Sequence, residues 1–140
     1  MNKKHTKTLL LCMALMATNA CTENTLPEKA QAMIDSYFPK CSVVLVEVES
    51  ESGAEQCEVW LNDGTKIEFD TQGEWQRVSR NKSGVPESMI PHTIMEYIRK
   101  NYPGNIVTKF SRKDYGFKIE LSDDMDLRFD KQCQFIEEID

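Results

Sequence analysis

The chain has 140 residues and a mass of 16.1 kDa, a size typical of one compact domain, which excludes a multidomain enzyme. Hydrophobic residues make up 40% and charged residues 29%, so neither a disordered chain nor a membrane protein with several spans fits. The 17 Lys and Arg residues against 23 Asp and Glu give a net charge of −6, which opposes the phosphate neutralisation that nucleic-acid binding needs. We therefore expect a folded protein with no nucleic-acid partner.

Residues 1–20 have the pattern of a signal peptide. Three lysines within the first seven residues precede an apolar run over residues 8–17, which is too short for a spanning helix of about 20 residues. Small residues up to Ala20 suit ordinary signal peptidase, and equally suit lipoprotein processing that leaves lipid on Cys21; an uncleaved anchor is the third option. We predict export to the periplasm or outer membrane, a lipid anchor on Cys21, and a short tether over residues 21–25.

The mature chain has a limited inventory of reactive side chains. Removal of residues 1–20 leaves 14 basic and 23 acidic residues, a net charge of −9, and His92 as the sole histidine. This excludes zinc sites built on several histidines. Cys41, Cys57 and Cys133 remain beside Cys21; one disulfide among these three is allowed, but the sequence does not say which pair forms.

Similar sequence signals occur twice along the chain. Pro27 and Pro39 lie 12 positions apart, as do Pro91 and Pro103, and the second pair follows the first at an offset of 64. Strand-like segments also match at an offset of 60, with the four-residue difference falling in a predicted hairpin loop. We interpret residues 26–79 and 85–140 as two copies of one unit, joined by the polar linker 80–84.

Each copy reads as one helix followed by three antiparallel strands. Apolar residues recur at helical spacing between the prolines of each pair. In the first copy, alternation places Cys57 and Leu61 towards a core, and the turn before the third strand has Gly64, whereas Asp124 and Cys133 replace the glycines expected in the second copy. Because about 50 residues bury too little surface to fold alone, we predict an α+β protein in which the two tandem repeats pack as one unit.

The succession of these motifs resembles the PepSY-like family. The carrying residues are the proline-bounded segment 26–39, the strand Glu58–Gly64 and the segment from Ile67 through Trp75, and the resemblance covers almost all of residues 26–136. That family comprises exported proteins of Bacteroides-type bacteria with a fold similar to the β-lactamase-inhibitor protein. The resemblance implies a non-catalytic binding module that grips an extracytoplasmic protein with its sheet face, and restraint of a peptidase or other hydrolase.

We expect no enzyme, because the chain lacks a nucleophile motif and a phosphate-binding loop. For protein binding, Trp60 is the leading candidate, because alternation places this large aromatic on the polar face of its strand beside Glu58 and Asn62. Packing under a loop or against the other copy is the competing interpretation for Trp60. Phe110 and Tyr115 are the candidate companions of Trp60 in a patch on the sheet face.

The alternative function is a periplasmic protein that binds a small ligand or responds to calcium through its acidic turns. Four aspartates crowd or follow one turn in the second copy: Asp123, Asp124, Asp126 and Asp130. Calcium prefers six to eight oxygen ligands, but no calcium-loop motif accompanies these residues. We predict no cofactor, with calcium as the weaker candidate and a solvated acidic turn as the ordinary explanation of this cluster.

Overall fold

The computed structural model describes residues 25–51 and 54–140. The predicted signal peptide and the lipidation candidate Cys21 lie outside these residues. The helices are α1 (Glu28–Tyr37) and α2 (His92–Asn101), and a single 3-10 turn spans Glu87–Met89. The strands are β1 (Val43–Glu51), β2 (Ala54–Leu61), β3 (Lys66–Phe69), β4 (Trp75–Ser79), β5 (Val107–Lys113), β6 (Gly116–Leu121), β7 (Asp126–Asp130) and β8 (Phe135–Ile139).

The two helices begin and end where the prolines predict. Pro27 and Pro91 stand at the N-caps of α1 and α2, where proline loses no hydrogen bond. The backbone amides of Phe38 and Tyr102 close the last turns, each with a proline directly after. No helix among the described residues is long and apolar enough to cross a membrane.

All eight strands form one antiparallel sheet in sequence order, from β1 at one edge to β8 at the other. Both helices pack on the same side, because their buried residues share one hydrophobic cluster with alternate residues of the strands. Cys57, Val59 and Leu61 belong to this cluster, as the alternation predicted. The protein is therefore an α+β structure of two layers, and the opposite face of the sheet has no described element over it.

Each helix is followed by four strands, so the prediction of three was wrong. The missed strands, β4 and β8, each contain an irregularity: Phe69 pairs with Trp75 while Glu68 pairs with Arg77, and β7 and β8 shift in the same way. The extra residue leaves Trp75 and Val78 both in the core although they are three positions apart. This bulge conceals the two-residue period that identifies a strand.

The turns of the second half keep the backbone form of the first without its glycines. Asp124 has φ 68° and Cys133 has φ 63°, close to the 86° of Gly64 and 76° of Gly73. Asp130 accepts hydrogen bonds from the amides of Gln132 and Gln134 at 2.9 Å, as Asp70 does from Gln72 and Glu74. The duplication itself stays a prediction.

The halves join directly between β4 and β5, which pair through three residues on each strand. The segment 80–84, predicted as a linker, follows β4 immediately: the Arg80 amide donates to the Thr108 carbonyl oxygen at 2.8 Å, and the Gly84 amide to the Arg80 carbonyl oxygen at 3.0 Å. The sheet consequently continues from one half into the other.

Candidate functional site

The sheet surface opposite the helices carries the polar positions of the central strands. We call this surface the open face and define it by Glu58, Trp60, Lys66, Glu68, Arg77, Ser79, Lys109, Ser111, Lys118 and Glu120. Strand pairing sets these residues in two rows across the sheet. One row runs Trp60, Lys66, Ser79, Lys109, Glu120; the other runs Glu58, Glu68, Arg77, Ser111, Lys118.

A groove of about 620 Å³ lies on the open face. Small side chains at its centre, Ser79 on β4 and Ser111 on β5, stand between longer charged ones. The β2–β3 turn, the segment 80–82 and Lys113 extend its wall. The groove therefore spans the junction between the two halves of the chain.

Ion pairs fix the charged side chains of the open face. The Lys66 Nζ lies 2.6 Å from a Glu58 carboxylate oxygen, and the Arg77 guanidinium lies 3.2 Å from that of Glu68. On the other half, Lys109 pairs with Glu120 at 2.9 Å. Lys118 pairs with Asp126 of β7 at 2.6 Å. Pairs held across neighbouring strands keep these side chains extended over the sheet.

Trp60 lies on the open face and lines the groove, half-buried between Leu45 and Lys66 of the neighbouring strands. The Lys66 ammonium stands 5.2 Å from the centroid of its ring. Its indole N–H is buried and has no hydrogen-bond acceptor among the described residues. Trp60 thus offers an apolar ring at the rim of a charged surface, the arrangement common at protein interfaces.

The structure separates the remaining candidates for protein binding. Phe110 faces the helices, is 1% exposed and contacts Trp75 and Phe117, so its assignment to a surface patch was wrong. Asn62 lies after β2, where its Oδ1 accepts a hydrogen bond from the Ser42 amide. Tyr115 is 37% exposed in the β5–β6 turn, with the Arg128 guanidinium 5.6 Å from its ring centroid.

Phe110 faces inwards because β5 is bulged. Val107 pairs with Leu121 while Lys109 pairs with Glu120, leaving Thr108 as the extra residue. Val107 and Phe110 consequently share the core side although they are three positions apart. Simple alternation counted through this bulge therefore fails.

Asp63 anchors one end of the groove. Its Oδ2 accepts hydrogen bonds from the Arg80 guanidinium at 2.9 and 3.0 Å, and its Oδ1 accepts one from the Thr65 amide at 2.9 Å. Burial acts to raise the pKa of Asp63, but the hydrogen bonds from Thr65, Arg80 and Cys41 outweigh it and lower the pKa to about 2.

This lowered pKa predicts a loss of stability in acid. A carboxyl whose pKa is lower in the folded state than its ordinary 3.8 stabilises the fold above about pH 4. That contribution is lost as the pH falls from about 4 to 2. Because Asp63 lies near the surface, we expect Asp63→Asn to cost about 1–2 kcal/mol at pH 7.

Urea unfolding at pH 7 and pH 2.5 measures this effect. The difference in unfolding free energy between the two pH values should be smaller in Asp63→Asn than in the parent by about two thirds of the amount lost at pH 7, because the folded-state pKa of about 2 leaves part of the contribution at pH 2.5. Asp123→Asn is the matched control, because Asp123 occupies the corresponding turn but contacts Asn105 rather than an arginine. An identical pH dependence in Asp63→Asn and the parent would contradict the prediction.

The acidic turn of the second half does not gather its carboxylates. Asp123 accepts hydrogen bonds from the Met125 amide and Asn105, and Asp130 accepts two amides of the next turn. Asp126 points to the open face and pairs with Lys118, while Asp124 is exposed. Within residues 25–51 and 54–140, no group of three His, Cys, Asp or Glu side chains is arranged to hold a metal ion.

Cys41 and Cys133 are free thiols. Any disulfide among Cys41, Cys57 and Cys133 would need at least one of these two thiols, so the pairing allowed by the sequence within this set does not form. Burial raises the pKa of both thiols, with further raising by Asp63 at Cys41 and by Asp130 at Cys133. A raised pKa leaves little thiolate at neutral pH, so neither thiol has the character of a catalytic nucleophile.

Sequence reasoning identified Trp60 but missed the cations that line the groove. The available signal was the alternation of lysine and glutamate at the outward positions of β3 and β6. Such alternation is typical of any solvated sheet face. Only strand order shows that Lys66, Arg77, Lys109 and Lys118 stand on four adjacent strands.

Comparison with known proteins gives one family match and several similar structures. The family described as beta-lactamase-inhibitor-like and PepSY-like matches residues 55–137. No functionally curated protein matches the chain.

The similar structures come from Bacteroides. A protein of Bacteroides thetaiotaomicron, described as a candidate calcium-regulated periplasmic protein, is 31% identical with a TM-score of 0.80, and the match covers 86% of this chain and 94% of that one. A Bacteroides vulgatus protein, described as periplasmic and of unknown function, is 30% identical with a TM-score of 0.79, covering 84% and 94%. A second Bacteroides vulgatus protein described as periplasmic is 30% identical with a TM-score of 0.77, covering 86% and 94%.

The family match covers 83 of 140 residues, and the similar structures align over most of this chain and nearly all of their own. Identity of 30% or more over such lengths indicates common descent as well as a common fold. The chain belongs to the PepSY-like, beta-lactamase-inhibitor-like family.

Proposed function

We propose that this protein is a non-catalytic binding module that docks another extracytoplasmic protein on its open face, restraining a peptidase or other hydrolase. The observation that carries the proposal is the groove itself: eight strands present a wide surface that no described element covers. Trp60 at its rim supplies the large aromatic side chain that protein interfaces favour. Membership of the family described as beta-lactamase-inhibitor-like supports the same function.

The lining favours a protein over a small ligand. Small-molecule pockets are mostly apolar with a few polar groups, whereas ten of the fifteen residues lining this groove are charged. Charged positions spread over several strands match an extended protein surface, where they provide specificity and orientation.

Site-specific photocrosslinking in the living envelope tests the docking surface. A benzophenone side chain replaces Ser79 at the centre of the open face, or Thr93 on the exposed side of α2 as the matched control. We expect one discrete protein adduct from position 79 and none from position 93. An adduct from position 93 alone, or none from either position at the native expression level, would overturn the docking proposal.

The hydrolase part of the proposal needs its own measurement. The partner identified from the adduct at position 79 is purified separately, without crosslinking. Its hydrolytic rate is followed while this protein is added. We expect the rate to fall in proportion to occupancy, with Trp60→Ala requiring a higher concentration for the same inhibition. A partner without hydrolytic activity, or one whose rate is unchanged at full occupancy, would refute restraint but leave docking intact.

We also propose that the protein acts in the periplasm, anchored by lipid on Cys21. Three similar proteins are described as periplasmic, and the first twenty residues have the features of an export signal. The intact mass of protein extracted from its own membranes is the test. A mass matching acylated Cys21 supports anchoring; a chain starting at residue 21 without lipid supports a soluble periplasmic protein and refutes the anchor.

Calcium binding is the second candidate function, favoured by the description of the Bacteroides thetaiotaomicron relative. The carboxylates of the acidic turn are already used by backbone amides, Asn105 and Lys118, and calcium needs six or more oxygens around one point. We therefore expect the midpoint of thermal unfolding to be the same in 5 mM calcium and in chelator. A ligand that binds the native state raises this midpoint by mass action, so a rise with calcium, absent in Asp126→Asn, would contradict this expectation.

A further inference from the structure

The groove concentrates positive charge in an acidic protein. Seven of the 17 Lys and Arg residues line it, against three of the 23 Asp and Glu residues. The lining therefore has a net charge of +4, whereas the whole chain has −6. The seven cations are Lys66, Arg77, Arg80, Lys82, Lys109, Lys113 and Lys118.

The cations of the open face also stand further into solvent than their carboxylate partners. The Lys66 side chain is 26% exposed against 14% for Glu58, and Lys109 is 40% exposed against 25% for Glu120. The Arg77 side chain is likewise more exposed than that of Glu68, and the Lys118 side chain is more exposed than that of Asp126. An approaching molecule therefore meets ammonium and guanidinium groups first.

Two lysines of the groove have no ion pair with any described residue. Lys82 lies on the segment after β4 and Lys113 at the end of β5, and both are exposed. Their charges are not compensated locally, so they contribute most directly to the attraction of an anionic partner.

We propose that the open face recognises a carboxylate-rich surface of its partner protein, with Lys82 and Lys113 as the two free cations that contact it. This inference rests on the proposed function, since it names the chemistry of the protein docked there. Glutamate and aspartate side chains of the partner would also contact the cations of the central strands, which are already paired with carboxylates of this chain. Trp60 would pack against apolar atoms at the edge of the same contact.

The arrangement of the cations favours protein carboxylates over phosphate. Within each row the two cations lie two strands apart, Lys66 and Lys109 on either side of Ser79, and Arg77 and Lys118 on either side of Ser111. Two strand spacings amount to roughly 10 Å. A phosphate group is held best by donors that converge on its oxygen atoms. Separated cations, each held by its own carboxylate, instead match single carboxylates spread over a facing surface.

The net charge of the chain also disfavours extended polyanions. A long nucleic acid or polyphosphate would experience repulsion from the acidic remainder of the molecule. A compact acidic patch interacts mainly within the screening length of about 8–10 Å at ordinary salt. Within that range the attraction is set by the groove lining together with Glu58 and Asp126, which pair with Lys66 and Lys118, and these groups still have a net charge of +2.

A glutamate 15-mer is the direct probe, and amide chemical shifts of the labelled full-length mature protein are the readout. We expect shifts confined to strands β2–β6, the β2–β3 turn and residues 80–82, and weaker binding as salt is raised. The double variant Lys82→Glu/Lys113→Glu should weaken binding roughly tenfold, since two exposed charges are reversed. The control Lys40→Glu/Lys100→Glu makes the same change in net charge at exposed sites away from the groove, and should stay within about twofold.

Three outcomes would overturn the inference. The glutamate peptide could leave the groove unshifted, the two double variants could weaken binding equally, or polyphosphate of matched charge could bind more tightly than the peptide. Photocrosslinking from position 79 separates these failures from failure of the proposed function. An adduct that forms unchanged in Lys82→Glu/Lys113→Glu would retain the docking surface while rejecting an acidic partner.

Discussion

Gly116→Ala should be among the most destabilising single substitutions in the described chain, with an expected loss of about 3–5 kcal/mol in unfolding free energy. Gly116 begins β6 with φ 144°, a backbone conformation that residues with a side chain rarely adopt. A Cβ at this position would lie 2.3 Å from the Phe129 carbonyl oxygen and 2.4 Å from the Asp130 carbonyl carbon. Both contacts are with backbone of the paired strand β7, so relief requires the two strands to separate.

Urea unfolding followed by far-UV circular dichroism measures this loss. Gly104→Ala is the matched control, because Gly104 also has a positive φ, 87°, but a Cβ there meets nothing within 4 Å. The control should cost only the backbone strain, about 1–2 kcal/mol. Equal losses of unfolding free energy in the two variants would contradict the prediction, because they would show that the close approach of β6 and β7 does not require glycine at position 116.

The helices and most strands could be predicted from sequence because their signals are local. A proline at each end of a segment with an apolar stripe predicts the bounds of the ten-residue helices α1 and α2 almost to the residue. Alternation identifies the core side of β2 through Cys57, Val59 and Leu61. Both depend only on residues that are neighbours along the chain.

The missed features depend on contacts between distant residues. β4 and β8 went unrecognised because a bulge interrupts alternation at Gln76 and Ile136, and Phe110 was placed on the wrong face because of the bulge at Thr108. Glycine is not required at positions 124 and 133, since Asp124 and Cys133 adopt the positive φ of these turns. A bulge is a property of strand pairing, so a single strand's sequence does not reveal it.

The candidate site could be predicted only in part for the same reason. Trp60 is conspicuous in sequence as an aromatic residue at an outward position. The positive groove is inconspicuous, because its cations come from four strands and from the segment after β4, in a chain whose composition is acidic. Only the order of strands brings them together.

A core substitution in the second half should destabilise the first half equally. Phe129 is fully buried in β7, where it contacts Tyr97 of α2 with ring centroids 5.5 Å apart, and we expect Phe129→Ala to cost about 3–5 kcal/mol. The halves share one hydrophobic cluster and a continuous sheet. Trp75 of β4 also packs on Phe110 of β5, with centroids 5.1 Å apart. Neither half should therefore remain folded when the other unfolds.

The positions of the tryptophans make this coupling measurable. Trp60 and Trp75 are the chain's two tryptophans and both lie in the first half, whereas far-UV circular dichroism reports on all elements. In Phe129→Ala the urea midpoints from fluorescence and from circular dichroism should fall together. Ile136→Ala, at an exposed position of β8, should change the unfolding free energy from either probe by less than about 0.5 kcal/mol. A fluorescence midpoint that stays at the parental value while circular dichroism becomes biphasic would mean that the halves unfold separately, because a substitution 50 or more residues away reaches these tryptophans only through a shared core.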